Sequence, residues 1–184
     1  ADLAKKYNKP IIITEGGSGY LSGNADTTTF AADRIREAYT TLNMVYPQVK
    51  AIIHFDRSGS GYDYSLQNNT TVQAAYNSAL KSNPTLMSSP SQTVTQSFKP
   101  LSQVTGANGV VTLRAYCDVI GQTVTVTYSV DGKWVGTQKT VPYNCQLDTS
   151  TLTAGNHTLK VVFNAPNGYS QTLNYQLTKA ANGS

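Results

Sequence analysis

The chain has 184 residues, 39% of them hydrophobic and only 13% charged, with a formal net charge of +4. The charged share is about half the usual ~25%, which excludes a highly charged disordered chain and leaves a packed core within reach. No apolar run approaches the roughly 18–20 residues that span a bilayer, no basic-then-apolar leader is visible, and the cations form no cluster of the kind that binds nucleic acid.

Residues 1–83 alternate helix and strand signals. Ala1 to Tyr7 reads as the end of a helix, with Asn8 as a left-handed cap. Pro10 opens Ile11-Ile12-Ile13-Thr14, a run apolar on both faces, as expected for a parallel strand covered on both sides. Residues 16–27 form a glycine-rich loop. Ala31, Ile35, Ala38 and Leu42 then share one face of a helix, capped by Asp26 or a following Thr and stopped at Tyr46-Pro47. Residues 49–55 (VKAIIHF) are a second buried strand, and 56–67 a second loop. Val72, Ala75, Tyr76, Ala79 and Leu80 mark a last helix. This order predicts parallel strands joined by crossover helices.

The composition changes near residue 90. Residues 84–99 form a linker rich in Pro, Ser and Thr. Beyond it the period becomes two. Val111, Leu113, Ala115 and Cys117 alternate with polar residues, and so do Val124, Val126, Tyr128 and Val130. Asp131-Gly132 is a hairpin dipeptide from which Lys133 to Lys139 returns. Tyr143, Cys145 and Leu147 make a fourth run, Leu159, Val161 and Phe163 a fifth, and Leu173, Tyr175 and Leu177 a sixth. Short strands at this spacing predict a β-sandwich over 100–178, with a tail at 179–184.

Glu15 ends the first strand and precedes Gly16-Gly17. Ligands of α/β folds bind beyond the carboxyl ends of parallel strands, so a carboxylate there is either used or committed to a cap or a Lys partner. His54 and Asp56 fall at the end of the second strand, on the same rim, as pocket groups or as ordinary caps. Tyr20, Tyr62 and Tyr64 lie on the rim loops, where aromatic faces either stack on sugars or simply pack. His157 follows Gly155-Asn156 with no second His and no acidic neighbour in sequence, so no metal site is expected, and no cofactor. Trp134 is placed on a hairpin, as a sugar platform or packed on its own sheet. Cys117 and Cys145 are in phase with inward residues. In an immunoglobulin-like sandwich the second and fifth strands are antiparallel neighbours. That makes a Cys117–Cys145 disulfide the expectation, closing a loop of about 28 residues worth ~3 kcal/mol. Two buried free thiols are the other reading.

Two stretches, KKYNKPIIITEGGSGY and YPQVKAIIHFDRSGSGYDYSL, resemble the last two βα units of clan A glycoside hydrolases, nearest to their β-mannanase-like branch. The resemblance covers about residues 1–83. It implies strands 7 and 8 of a (β/α)8 TIM barrel, incomplete here, and maps Glu15 to the catalytic nucleophile through Lys9-Pro10 and Ile11 to Gly16. His54-Phe55 stands where the family has a Trp at the end of strand 8. The family's acid/base Glu, which follows an Asn, has no match, and Glu37 lies mid-helix. A closed barrel needs at least ~200 residues, so this chain is expected to be a C-terminal portion of a secreted polysaccharide hydrolase, inactive alone. Residues 100–178 resemble the bacterial immunoglobulin-like domains appended to secreted enzymes, through Asp131 to Thr137, Pro142 to Thr149 and Leu152 to Leu159. The expected partners are a polysaccharide and the remainder of the barrel, from the parent chain or a second molecule. The alternative is a non-catalytic cell-surface or carbohydrate-binding module carrying a degenerate barrel remnant.

Overall fold

The computed structural model describes residues 2–83, 85–87, 89, 91–92, 98, 100–103, 106–119 and 121–181. The chain divides into two compact units, 1–97 and 98–184. Much of the linker expected at 84–99 lies outside the described residues, as do residues 182–184 of the expected tail.

The first unit opens with α1 (Asp2–Tyr7), closed by Asn8 in the left-handed region (φ 49°). Next come β1 (Ile11–Gly16), the two-residue strands β2 (Leu21–Ser22) and β3 (Ala25–Asp26), and α2 (Thr28–Val45). They are followed by β4 (Val49–His54), β5 (Ser58–Gly59), β6 (Tyr62–Asp63) and α3 (Thr70–Ser82). β1 and β4 form a parallel pair. A parallel pair needs a crossover, which α2 supplies. Ala31, Ile35 and Tyr39 of α2 and Val72 and Ala79 of α3 are buried together, with Ile52 of β4 packed against them. The amphipathic spacing of both helices is what buries this face. The first helical amide, Thr28 N–H, donates to Asp26 Oδ1 (2.8 Å). Asn69 caps α3 by accepting from Thr71 and Val72 amides (3.1 Å each), and its Nδ2 reaches Thr28 Oγ1 (2.8 Å), tying together the starts of both helices.

The other face of the β1–β4 pair is open in this unit. Ile12 is 59% and Ile53 is 55% exposed. The sequence predicts strands covered on both faces; within these residues the helices cover one face only. The described residues of this unit show a two-stranded parallel ladder flanked by helices, not a closed barrel.

The second unit is antiparallel. Its strands are β7 (Val110–Leu113), β8 (Thr125–Val130), β9 (Lys133–Gln138), β10 (Cys145–Asp148), β11 (Gly155–Asn164) and β12 (Ser170–Lys179). They make a four-stranded sheet in the order β12-β11-β8-β9 and a two-stranded β10–β7 pair. Inward residues of both sheets meet in one core: Val126, Tyr128 and Val130 from β8, Leu159, Val161 and Phe163 from β11, and Cys145 and Leu147 from β10. Strict alternation in β8 reflects the two-residue period of a sheet with one wet face. The Tyr128 hydroxyl is satisfied inside this core, donating to the Tyr143 carbonyl (2.7 Å).

The expected disulfide is not formed; Cys117 and Cys145 are free thiols. The register explains it. Cys145 lies opposite Leu113, the last residue of β7, so Cys117 is four residues beyond its partner position. The ladder has ended there, so no strand pairing holds the two Cα atoms within the ~7 Å that a bridge requires. The Cys117 thiol faces Tyr169 Oη instead (3.9 Å), while Cys145 Sγ fills the space over Gly136, where an added Cβ would lie 2.6 Å away.

Candidate functional site

The carboxyl ends of β1 and β4 carry the residues that the sequence singles out. Ile13 pairs with Ile52, and Gly16 with His54. β1 therefore advances three residues while β4 advances two, leaving an extra residue on β1. That is a β-bulge, a device that ends pairing and re-aims a side chain. Glu15 sits inside it, exposed, with no hydrogen-bond or ion-pair partner among the described residues. The Gly-Gly pair that follows serves strand closure. A Cβ on Gly16 would meet Ile52 Cγ2 at 3.0 Å, and one on Gly17 the Phe55 carbonyl at 3.2 Å. The Phe55 amide donates to Gly16 O (2.9 Å) and locks the two strand ends together.

The two rim segments, read from sequence as a glycine-rich loop and a second loop, contain hairpins. β2 and β3 turn at Gly23-Asn24, β5 and β6 at Ser60-Gly61, and β2 pairs with β6 to give a four-stranded sheet. Gly23 (φ 55°) and Asn24 (φ 67°) adopt the left-handed values that a two-residue hairpin turn requires.

His54 is half-buried. Its Nδ1 lies 3.4 Å from Tyr39 Oη and its Nε2 3.4 Å from the Tyr64 carbonyl, and its ring sits 5.2 Å from that of Tyr76. Burial, then the neighbouring Tyr76, pushes the Tyr39 hydroxyl well above its ordinary range. Asp56 is exposed and accepts from the Leu66 amide (3.0 Å), which holds the second rim segment. Tyr20 is 8% exposed, so its ring packs rather than presents a face. Burial, with the Asp63 carboxylate beside it, pushes its hydroxyl up to about 12. Among the described residues that hydroxyl lacks a partner of hydrogen-bond geometry. Asp63 accepts from the Ser65 amide (2.8 Å) and Asn68 Nδ2 (3.1 Å). Burial acts to raise its carboxyl, but hydrogen bonding wins and holds it below the ordinary range.

Tyr62 is exposed and lies tilted against Tyr64 (5.9 Å between centroids), which packs edge-on against Phe55 (5.4 Å). Gly59 and Gly19 make room for these rings; a Cβ would lie 2.5 Å from Tyr62 and 3.1 Å from Tyr64. This aromatic cluster joins both rim hairpins. The part played by Phe55 is not legible in sequence, because its partners are far apart along the chain. Glu37 is accounted for on α2, paired with Arg34 (2.7 Å). No group of three or more His, Cys, Asp or Glu suited to a metal occurs among the described residues.

In the second unit the one tryptophan, Trp134, is 70% exposed. Its Nε1 donates to Thr137 Oγ1 (3.2 Å). His157, without an acidic neighbour in sequence, gains one in space: its Nδ1 lies 2.6 Å from Asp131 Oδ2 and its Nε2 2.8 Å from the Thr153 carbonyl.

Residues 90–161, under half of the chain, match the family model described as Bacterial Ig domain. No curated protein matches the chain. Among solved structures, the chain is similar to the fibronectin(III)-like modules of Clostridium thermocellum CbhA, at 20% identity over 45% of this chain and 92% of that one, with a TM-score of 0.38. It is also similar to the endo-beta-1,4-mannanase from Thermotoga petrophila, at 14% identity over 97% of this chain, with a TM-score of 0.37. The chain spans 41% of that mannanase structure. Among the described residues, no helix is long and apolar enough to cross a membrane.

Proposed function

We propose that the chain is part of a retaining glycoside hydrolase acting on a polysaccharide, with Glu15 as the nucleophile. The observation that carries this reading is the state of Glu15: a solvent-facing carboxylate without a partner among the described residues, in a bulge at the carboxyl end of a parallel strand. A carboxylate so placed contributes nothing visible to the fold and is free to meet a ligand. The uncovered Ile12 and Ile53 face supports further strands around β1 and β4, contributed by the rest of a barrel in the parent chain or by a second molecule. An extracellular location goes with this reading, since polymers of this size are met outside the cell, and the bacterial Ig domain match agrees with it.

Glu15 attacks the anomeric carbon as the glycosidic C–O bond breaks. A second carboxyl group, about 5–5.5 Å away across that bond, protonates the departing oxygen, then takes a proton from the water that releases the sugar. The second group belongs to the completing part of the barrel. Tyr62 offers its ring to a sugar face. His54, Asp56 and Tyr20 line the rim and hold its two hairpins in place.

The test is Glu15→Gln in the full-length gene product, assayed on β-1,4-mannan and β-1,4-glucan. The wild type hydrolyses one of them; the variant loses at least a thousandfold in turnover with an unchanged melting temperature. Near-normal hydrolysis by the variant, or none by the wild type, overturns the reading.

A further inference from the structure

The outer face of the four-stranded sheet in the second unit has no part in the site above. Register places Trp134 opposite Ser129, Ser129 opposite Lys160, and Lys160 opposite Asn174. One row of side chains therefore crosses all four strands, about 14 Å at ~4.8 Å per strand. Thr137 and Thr127 follow on the next row, their hydroxyls 3.3 Å apart. The inward partners of these positions, Val126, Tyr128 and Val130, are buried, so the row lies on the wet side.

The chemistry of this face is selective. The indole N–H is used by Thr137, which fixes the polar edge of the ring and leaves its faces to solvent. A 70% exposed indole costs solubility and adds nothing to the core. On the row itself stand a hydroxyl, an amide and one cation, while the nearby Asp131 carboxylate is committed to His157 and the Thr158 amide. One cation is too little to hold a nucleic acid or an anionic surface. An aromatic platform followed by neutral donors and acceptors suits a ligand that is apolar on its C–H faces and hydroxylated at its edges. At the β12 edge the row runs into an open groove lined by Asn174, Tyr175 and Gln176, so the surface continues in one direction as an extended ligand requires.

We propose that this face binds a neutral polysaccharide chain, with the sugar stacked on Trp134 and hydrogen-bonded along Ser129, Lys160 and Asn174. The proposal rests on the glycan-facing part of the function above and not on the role of Glu15. Trp134 is the only tryptophan, so its emission reports this site alone. Titrating the full chain with β-1,4-linked mannohexaose and cellohexaose gives a saturable change in emission with at least one of them. Co-sedimentation with the matching insoluble polymer falls tenfold or more in Trp134→Ala and less in Trp134→Tyr. The indole is exposed, so its removal leaves the core intact. An emission silent to both oligosaccharides, or a Trp134→Ala variant that sediments like the wild type, overturns the proposal whatever Glu15 does.

Discussion

His157 meets two acceptors at once, the Asp131 carboxylate and the Thr153 carbonyl. A neutral imidazole has one N–H, so only the cation satisfies both. The hydrogen bond to Asp131, then that to Thr153, raises the imidazole above its ordinary 6.5. Its contribution to stability is complete below that value and is lost as pH rises through the raised one. Asp131 is held below its ordinary 3.8 by His157 first and the Thr158 amide second, so its contribution is lost as pH falls through the lowered value. The clasp is therefore strongest between about pH 4 and 6.5. His157→Gln should lower the urea midpoint more at pH 5.5 than at pH 9; an equal loss at both would contradict the clasp. The cysteines give a second check at this scale. Two thiols should titrate in the denatured, unreduced protein, and none would mean that the β7–β10 register is wrong. Glu15 was legible as a strand-terminal carboxylate beside two glycines. Its bulge was not, since a bulge is a mismatch between two strands and neither strand shows it alone.

Among the elements, the helices and the sandwich strands follow from period. Ala31, Ile35, Ala38 and Leu42 mark α2, and the alternation from Val124 to Val130 marks β8. The rim hairpins escaped because strands of two residues are too short to carry a period, and their pairing joins segments some forty residues apart. The disulfide expectation failed for a related reason. The alternation runs on to Cys117, but the ladder stops at Leu113. Asn69 holds the start of α3 by two amide bonds and links it to Thr28. Asn69→Ala should cost about 1 kcal/mol in denaturant unfolding, within the 0.5–2 range of lost caps; no change would show that the cap is idle. Phe163 is 3% exposed between the sheets of the second unit. Phe163→Ala should cost about 3–5 kcal/mol there, and a loss below 1 would argue against the core described.

On the scale of the whole molecule, the two units have different prospects. The second closes a core between its own sheets, and residues 98–184 expressed alone should melt cooperatively. The first leaves Ile12 and Ile53 bare on an unpaired parallel ladder, and residues 1–97 alone should not melt cooperatively as a monomer. A sharp monomeric transition for 1–97 would remove the case for a completing partner. That case was only half legible in the sequence. The Ile11–Thr14 run announces a strand covered on both faces, but which side finds its cover within the chain depends on where α2 and α3 pack. The central claim is chemical, and one measurement meets it directly. The full-length gene product is incubated with an activated 2-deoxy-2-fluoro-mannoside or -glucoside, whose good leaving group needs no acid and whose fluorine slows release of the covalent sugar. Peptide mass mapping should find one fluoroglycosyl group on Glu15. A label on another carboxylate, or no label at all, would contradict its role as nucleophile.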